Sequence, residues 1–328
     1  MKRFGFGFVL SLCLLLPSGS LVRAAGGEAF TDAASAGPDF VVQGEYLGAG
    51  GDEKWGAHVV ALGDGKFDLV GYKGGLPGEG WKRGDERKRG KGELKDGVVS
   101  IKSEDGEWSA TIKDGVLTVI DKDGQKVAEL KKVERKSPTL GAKPPAGAAV
   151  LFDGSTADPF VNGKLIEGNL LAASNPESKL KLGDHTLHIE FRTPFMSKSR
   201  GQARGNSGVY IQGRYDCQVL DSFGLEGENN ECGGIYQQSK PAVNMCYPPL
   251  SWQTYDMDFT AAKYDADGKK TANARVTVKH NGVAIYENLE LPKDTPGHSA
   301  EGPGPEHLYL QNHGDPVAFR NIWVVERK

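Results

Sequence analysis

Nine Asp-Gly and Asn-Gly dipeptides punctuate this chain: Asp64-Gly65, Asp96-Gly97, Asp105-Gly106, Asp114-Gly115, Asp123-Gly124, Asp153-Gly154, Asn162-Gly163, Asp267-Gly268 and Asn281-Gly282. Each pair supplies the positive-φ positions of a tight hairpin turn, so the chain must keep reversing direction over short distances. Gly makes up 45 of the 328 residues, roughly twice the usual share. No Gly-X-Y period accompanies it, which excludes collagen. Apolar runs recur throughout and hydrophobic residues reach 38%, which excludes a disordered chain. No window keeps a helical i, i+3, i+4 stripe for more than a turn or two. The pattern is that of an all-β protein. A net charge of -3 is too balanced to point to a nucleic-acid partner.

The N-terminus carries a different signal. Met1-Lys2-Arg3 is basic, Phe4 to Leu16 is apolar, and Val22-Arg23-Ala24 is a small-residue cleavage site. Residues 1–25 therefore read as a secretory signal peptide. They imply a secreted or periplasmic protein with no membrane span, because an apolar stretch this short is a poor bilayer crosser. Residues 26–39 are small and polar and read as a flexible leader.

Residues 40–136 form a series of short strands: Phe40–Leu47, Ala57–Leu62, Lys66–Tyr72, Val98–Ser103, Glu107–Lys113, Val116–Ile120 and Lys126–Val133. They predict a small β-meander or barrel-like accessory domain. Trp81 to Lys95 is rich in Lys and Arg, but Asp85, Glu86 and Glu93 interrupt it, so it reads as a solvated hairpin loop. Residues 137–149 are a semi-rigid Pro/Gly/Ala linker. A second β-rich domain runs over 150–328.

Within that domain four strands alternate cleanly, so their faces follow from the pleat. Leu187, Ile189 and Phe191 point to a core, leaving His188, Glu190 and Arg192 on the opposite face. Val209 and Ile211 leave Tyr210 and Gln212 outward. Cys217 and Val219 leave Asp216 and Gln218 outward. Leu308 and Leu310 leave Tyr309, Gln311 and His313 outward. Pooled on one polar sheet face, these amides, acids, phenols, guanidinium and imidazole would suit sugar hydroxyls. A plain solvated face is the alternative, and it would be richer in Lys. Asp216-x-Gln218-x-x-Asp221 resembles the Glu-x-Asp-x-x-Glu strand of laminarinase-type glycoside hydrolases, with an amide in place of the middle acid. Asp221 could equally cap the turn that follows. No nucleophile elbow, phosphate loop, dinucleotide fingerprint or metalloprotease motif is present.

Cys217, Cys232 and Cys246 remain once the export segment is removed. In an oxidising compartment Cys232 and Cys246, both in a Gly- and Pro-rich loop, are the natural disulfide pair; free thiols are the alternative.

A set of motifs occurs in order: Val150-Leu-Phe-Asp-Gly-Ser155, Ile189-Glu-Phe-Arg-Thr-Pro194, Arg204-Gly-Asn-Ser-Gly-Val-Tyr-Ile211, Gln218-Val-Leu-Asp-Ser222, Cys232-Gly-Gly-Ile-Tyr236, Trp252-Gln-Thr-Tyr-Asp256, His280-Asn-Gly-Val283, Leu310-Gln-Asn-His-Gly314 and Val317-Ala-Phe-Arg-Asn-Ile-Trp323. Together they resemble the 3-keto-disaccharide hydrolase family, once a domain of unknown function, over essentially all of 150–328. The resemblance implies a concanavalin A-like lectin/glucanase jelly-roll β-sandwich and an exported carbohydrate-active enzyme. Asp216 departs from the Glu usual in that family, and Asn312 from the common Asp.

A ketone at sugar C3 acidifies the C2 proton, so elimination followed by hydration can cleave the glycosidic bond. For that chemistry Glu190, Asp221 and His313 are the expected proton-transfer groups. Arg192, Arg204 and Gln218 are expected to orient and polarise, and Asn206, Tyr210, Asp216, Tyr236, Gln311 and Arg320 to hold hydroxyls. Structural ion pairs Glu190–Arg192 and Asp221–Arg320 are the competing account. A divalent metal held by His313 and carboxylates is compatible, but no ligand spacing demands one. The implied partner is a glycoside or oligosaccharide, and a non-catalytic carbohydrate-binding module is the second reading. Gly205, Gly208, Gly233, Gly234 and Gly314 stand beside these residues, where a missing side chain would let backbone approach a sugar.

Overall fold

The computed structural model describes residues 21–24 and 27–327. Most of the expected signal peptide, positions 1–20 and 25, lies outside the described residues. Nearly all regular structure is strand. Among the described residues no helix is long and apolar enough to cross a membrane.

Eight strands form the first body: β1 (Gly44–Gly50), β2 (Glu53–Gly63), β3 (Lys66–Lys73), β4 (Arg87–Lys95), β5 (Val98–Ser103), β6 (Trp108–Lys113), β7 (Val116–Asp121) and β8 (Lys126–Val133). Each runs antiparallel to the next, and β8 pairs back onto β1, giving a closed up-and-down barrel without free edges. Asp64, Asp96 and Asp114 take φ of 54°, 51° and 50°, and the glycines after them are also left-handed. That is the turn chemistry the dipeptides predict. Val59, Phe67, Leu69, Ile101, Ile112 and Leu117 fill the interior.

Two local readings are corrected here. The basic stretch is not a loop; residues 87–95 are β4, paired with β3 and β5. Its apolar signal is missing because two of its inward positions are Gly90 and Gly92. A Cβ on Gly92 would stand 2.8 Å from Ile101 Cγ1 and 2.9 Å from Val99 Cγ1. Residues 37–42, placed partly in the first strand, form a short helix (Gly37–Val42) that packs beside the barrel mouth.

The second body is a two-layer sandwich. One sheet contains β10 (His185–Arg192), β13 (Gln253–Thr260), β14 (Ala274–His280), β15 (Val283–Leu291) and β17 (Ala318–Glu326), in the order β17-β10-β13-β14-β15, with shorter strands completing eight beside β17. The other runs from Phe160–Val161 through β9 (Glu177–Leu182), β16 (Glu306–Leu310) and β11 (Ser207–Ile211) to β12 (Tyr215–Val219). Leu187, Ile189 and Phe191 from the first sheet meet Val209, Cys217 and Leu310 from the second in one core. The pleat assignment of inward residues is therefore right. The pooled outer face is not: β10 belongs to one sheet, while β11, β12 and β16 belong to the other, so their outer faces lie on opposite sides of the sandwich.

The two bodies are welded together. Val70, Tyr72 and Trp81 of the barrel join the sandwich core, and Phe195 of the sandwich joins the barrel core. His58 stacks on Phe223 with ring centroids 4.3 Å apart. The segment read as a flexible leader is docked: Phe30 exchanges two backbone hydrogen bonds with Phe195, at 3.0 and 2.9 Å. The basic β4 likewise faces the sandwich, where Arg87 reaches Glu226 at 2.6 Å. The expected Cys232–Cys246 disulfide is not formed; Cys217, Cys232 and Cys246 are buried free thiols. Cys232 and Cys246 hydrogen-bond to each other; Cys232 Sγ also lies 3.3 Å from the Tyr255 hydroxyl, and Cys246 Sγ faces the carbonyls of Leu220 and Tyr247.

Candidate functional site

On the outer face of the five-stranded sheet, Asn206 precedes β11, and Gly208 and Tyr210 follow along it, while Asp216 and Gln218 lie on β12. The register sets Gly208 opposite Gln218 and Tyr210 opposite Asp216. Gly208 belongs there for space: a Cβ would stand 2.4 Å from Asp216 Oδ1. The room left by that glycine is filled by a carboxylate, not held open for a sugar. The other four glycines singled out are positive-φ or close-packed backbone positions. Segment 232–239 extends the face beyond β12, with the Tyr236 N–H donating to the Asp216 carbonyl at 3.1 Å. Gln311, after β16, donates to the Tyr210 hydroxyl at 3.4 Å, and that hydroxyl donates to the Pro296 carbonyl at 3.0 Å.

Gln202, in a 3-10 turn, completes the cluster. Its side-chain oxygen accepts from Gln218 Nε2 at 3.0 Å and from Asn206 Nδ2 at 3.2 Å. Sequence reasoning missed it because a lone Gln in a turn carries no periodicity. Asn206, Asp216 and Gln218 are nearly fully buried, yet Asn206 Oδ1, Asp216 Oδ1 and Gln218 Oε1 have no hydrogen-bond partner. Buried acceptors are almost always paired, because leaving one dry costs about 1–3 kcal/mol. Three of them cluster on one small face, closed off from solvent in this conformation. Burial also pushes the Asp216 carboxyl well above the ordinary carboxylate range, so it keeps a proton where an exposed Asp would have lost it. His313 sits exposed on the loop after β16. The same loop brings Asp315 to the Asn206 N–H at 2.8 Å.

The remaining predicted residues are elsewhere. Glu190 is on the opposite face, fully buried under the linker. Its carboxylate accepts from Arg320 Nε at 2.6 Å, Asn321 Nδ2 at 2.9 Å and the Gly141 N–H at 2.6 Å. Burial alone would raise its pKa, but hydrogen bonds from His188, Asn321, Gly141 and Arg320 outweigh it and bring it down to about 2. Glu190 is therefore held ionised at neutral pH within this network, and its ion-pair partner is Arg320, not Arg192. Arg192 instead lies over the Trp252 ring at 5.1 Å, with Arg320 on the same ring at 3.9 Å. The linker is correspondingly a docked strap, with Thr139 Oγ1 donating to Asp256 Oδ2 at 2.6 Å and Asn321 and Trp323 both donating to the Ala142 carbonyl.

Asp221 and Arg204 form a third constellation, at the junction with the barrel. Arg204 Nε donates to Asp221 Oδ2 at 2.6 Å, and Nη1 reaches the Ala61 carbonyl of β2 at 3.1 Å. Both side chains are buried. Asp221 thus pairs with Arg204, not Arg320, and ties the two bodies together. The Asp216-x-Gln218-x-x-Asp221 spacing does not bring its outer acids onto one face.

His313 has no part in any metal-ligand cluster among the described residues; the one cluster found is Glu177, His298 and His307, on the same sheet face as Tyr210. Larger cavities lie away from the polar cluster. One of about 340 Å³ opens in the barrel beside Trp55 and Trp108. Another of about 880 Å³ runs between the bodies past Arg192 and Trp252.

Residues 147–325 match the 3-keto-alpha-glucoside-1,2-lyase-like domain. The chain belongs to that family. A provisionally named glycosyl hydrolase from Parabacteroides distasonis ATCC 8503 is similar in structure, with 31% identity, coverage of 56% of this chain and 85% of its own, and a TM-score of 0.51. A second such protein from the same organism shares 15% identity over 56% of this chain and 95% of its own, with a TM-score of 0.41. No curated protein matches the chain. The match to the 3-keto-glucoside lyase-like family spans the sandwich and stops short of the barrel, so its chemistry is to be sought on the sandwich.

Proposed function

We propose that this protein is exported and cleaves the glycosidic bond of 3-keto-glycosides on the outer face of the five-stranded sheet. The observation that carries the reading is the trio of buried, unpartnered acceptors on Asn206, Asp216 and Gln218, which hydroxyl groups of a sugar would satisfy once covering groups such as Gln202 swing aside. In the proposed step a base removes the C2 proton, the electron pair forms C1=C2, and the C1–O bond breaks. The departing oxygen takes a proton from an acid, and addition of water to the enone completes a net hydrolysis. Asp216, held protonated by burial, suits the acid or a hydrogen-bond donor to the C3 oxygen. His313 is the base candidate left beside this face, since Glu190 and Asp221 are committed to ion pairs. Tyr210, Tyr236 and Gln311 would bound the ring.

The decisive experiment offers the mature protein 3-keto and unmodified glucosides and follows release of 3-keto-glucose, its enone or glucose. Turnover of the 3-keto substrate alone is expected. Turnover of unmodified glucosides alone would refute the mechanism.

Withdrawal of Glu190 and Asp221 from the chemistry also favours a second reading, a non-catalytic carbohydrate-binding module. It predicts that glycans are retained with no turnover, and that D216N and H313A change retention only.

A further inference from the structure

We propose that Glu177, His298 and His307 form a binding site for a divalent first-row transition metal of the zinc class, with one coordination position open. The three side chains come from separate parts of the chain. Glu177 starts β9, His307 lies on the neighbouring β16, and His298 belongs to the 292–305 loop folded over the sheet. His298 Nε2 and His307 Nε2 face each other at 2.7 Å, and the Glu177 oxygens stand 3.8 Å from the first and 4.0 Å from the second. Zinc–nitrogen bonds of about 2.0 Å at tetrahedral angles set ligand atoms roughly 3.3 Å apart, so the three separations straddle the required spacing. The histidines would part, and one Glu177 oxygen would close in, by roughly half an ångström or a little more.

The surroundings favour a cation over a chance pairing. His307 Nδ1 lies 3.0 Å from Glu306 Oε1, which Lys181 holds from the other side at 3.0 Å. A carboxylate on the far nitrogen fixes the Nδ1–H tautomer and leaves the Nε2 lone pair aimed into the cluster, as in metal sites with an oriented second layer. His298 presents its ring to His307 with centroids 5.0 Å apart and planes at 63°. Its ring is further fixed by stacking on Tyr309 at 3.9 Å and 12°. Gly213 is packed against both rings, with a Cβ there falling 3.0 Å from His307 Nε2 and 3.1 Å from His298 Cδ2. Glu177 has no tighter partner among the described residues.

A metal here would tie the 292–305 loop to β9 and β16. That loop also receives the Tyr210 hydroxyl through Pro296 and gives Thr295 Oγ1 to the Asp216 N–H at 2.9 Å. Occupancy would therefore brace two residues of the polar cluster. The inference rests on the ligand geometry and holds whatever the polar cluster does.

The test uses the tag-free mature chain, stripped with chelator and titrated with Co²⁺ and then Zn²⁺. One equivalent of Co²⁺ should give the intense visible bands of a low-coordinate N/O site, and Zn²⁺ should bleach them. H298A and H307A should abolish the bands, while E306Q, which touches no metal, should weaken affinity roughly 10–100-fold. Hydrogen exchange in 292–305 should slow when Zn²⁺ is added to the wild type and not to H298A. Absence of one-equivalent binding overturns the proposal, as does binding unchanged in H298A and H307A variants of native circular dichroism.

Discussion

The two outer faces of the sandwich carry nearly the same residue types and have opposite chemistry. On the eight-stranded sheet, His188, Glu190, Asp256, Arg320 and Asn321 satisfy one another, and the docked linker supplies the last donors. On the five-stranded sheet, Asn206, Asp216 and Gln218 are as deeply buried, yet each leaves an acceptor unused. Residue inventory does not separate the two faces; an account of hydrogen-bond partners does. A closed network lowers free energy and resists change, whereas an open one is unfavourable until a ligand completes it.

The sharpest way to break this contrast is D216N. Removing the proton donor should lower turnover of a 3-keto-glucoside by about 10²–10⁴-fold while the fold survives. Because burial raises the Asp216 carboxyl, its stability contribution is fullest below pH 3.8 and falls as pH rises toward the shifted value. D216N should therefore melt at or above the wild type, by an amount that grows from acid to neutral pH in calorimetry. A destabilised D216N with unchanged turnover would reverse the roles of the two faces.

E190Q should do the opposite, weakening a buried network by about 3 kcal/mol with turnover per folded molecule preserved. The pH dependence follows from the depressed pKa values of about 2 at Glu190 and at Glu45, where burial is outweighed by hydrogen bonds from Arg135 and His58. Stability from both is complete above the ordinary value of 4.5 and is lost as pH falls through about 2. Denaturant midpoints measured across that window should drop less in E190Q than in the wild type. Full retention of midpoint in E190Q at neutral pH would show that the network contributes nothing.

G208A is a smaller perturbation. A Cβ 2.4 Å from Asp216 Oδ1 must displace that carboxylate, so turnover should fall roughly tenfold, or about 1.4 kcal/mol, with little change in melting temperature. Adding two methyl carbons on the opposite face, as in A318V on β17, should leave turnover alone, since Ala318 is far in topology from Asp216.

Much of this fold was legible in the residues because hairpin turns and strand pleats are local. Asp64, Asp96 and Asp114 announced their turns, and alternation assigned Leu187, Val209, Cys217 and Leu310 to the core. β4 escaped because glycine at inward positions erases the apolar half of the alternation. Loop context pointed to a Cys232–Cys246 bridge, and those two thiols are neighbours in the core, unbridged in this structure. Among the predicted residues, Asn206, Tyr210, Asp216, Gln218, Tyr236 and Gln311 come together, because they occupy adjacent strands of one sheet or the segments flanking them. Glu190, Arg192, Arg204, Asp221 and Arg320 were drawn away by partners distant in sequence.

By itself, then, the sequence determined the all-β class, the turn positions, the inward residues of each strand and the family of the sandwich. These rest on φ preferences, a period of two and ordered motifs, all readable within a few residues. Only the tertiary structure decided which sheet each strand joins, and so which polar residues share a face. It also decided that linker and leader are docked, and that Glu177, His298 and His307 converge. Those outcomes depend on contacts between segments tens to more than a hundred residues apart, where neither periodicity nor spacing carries a signal.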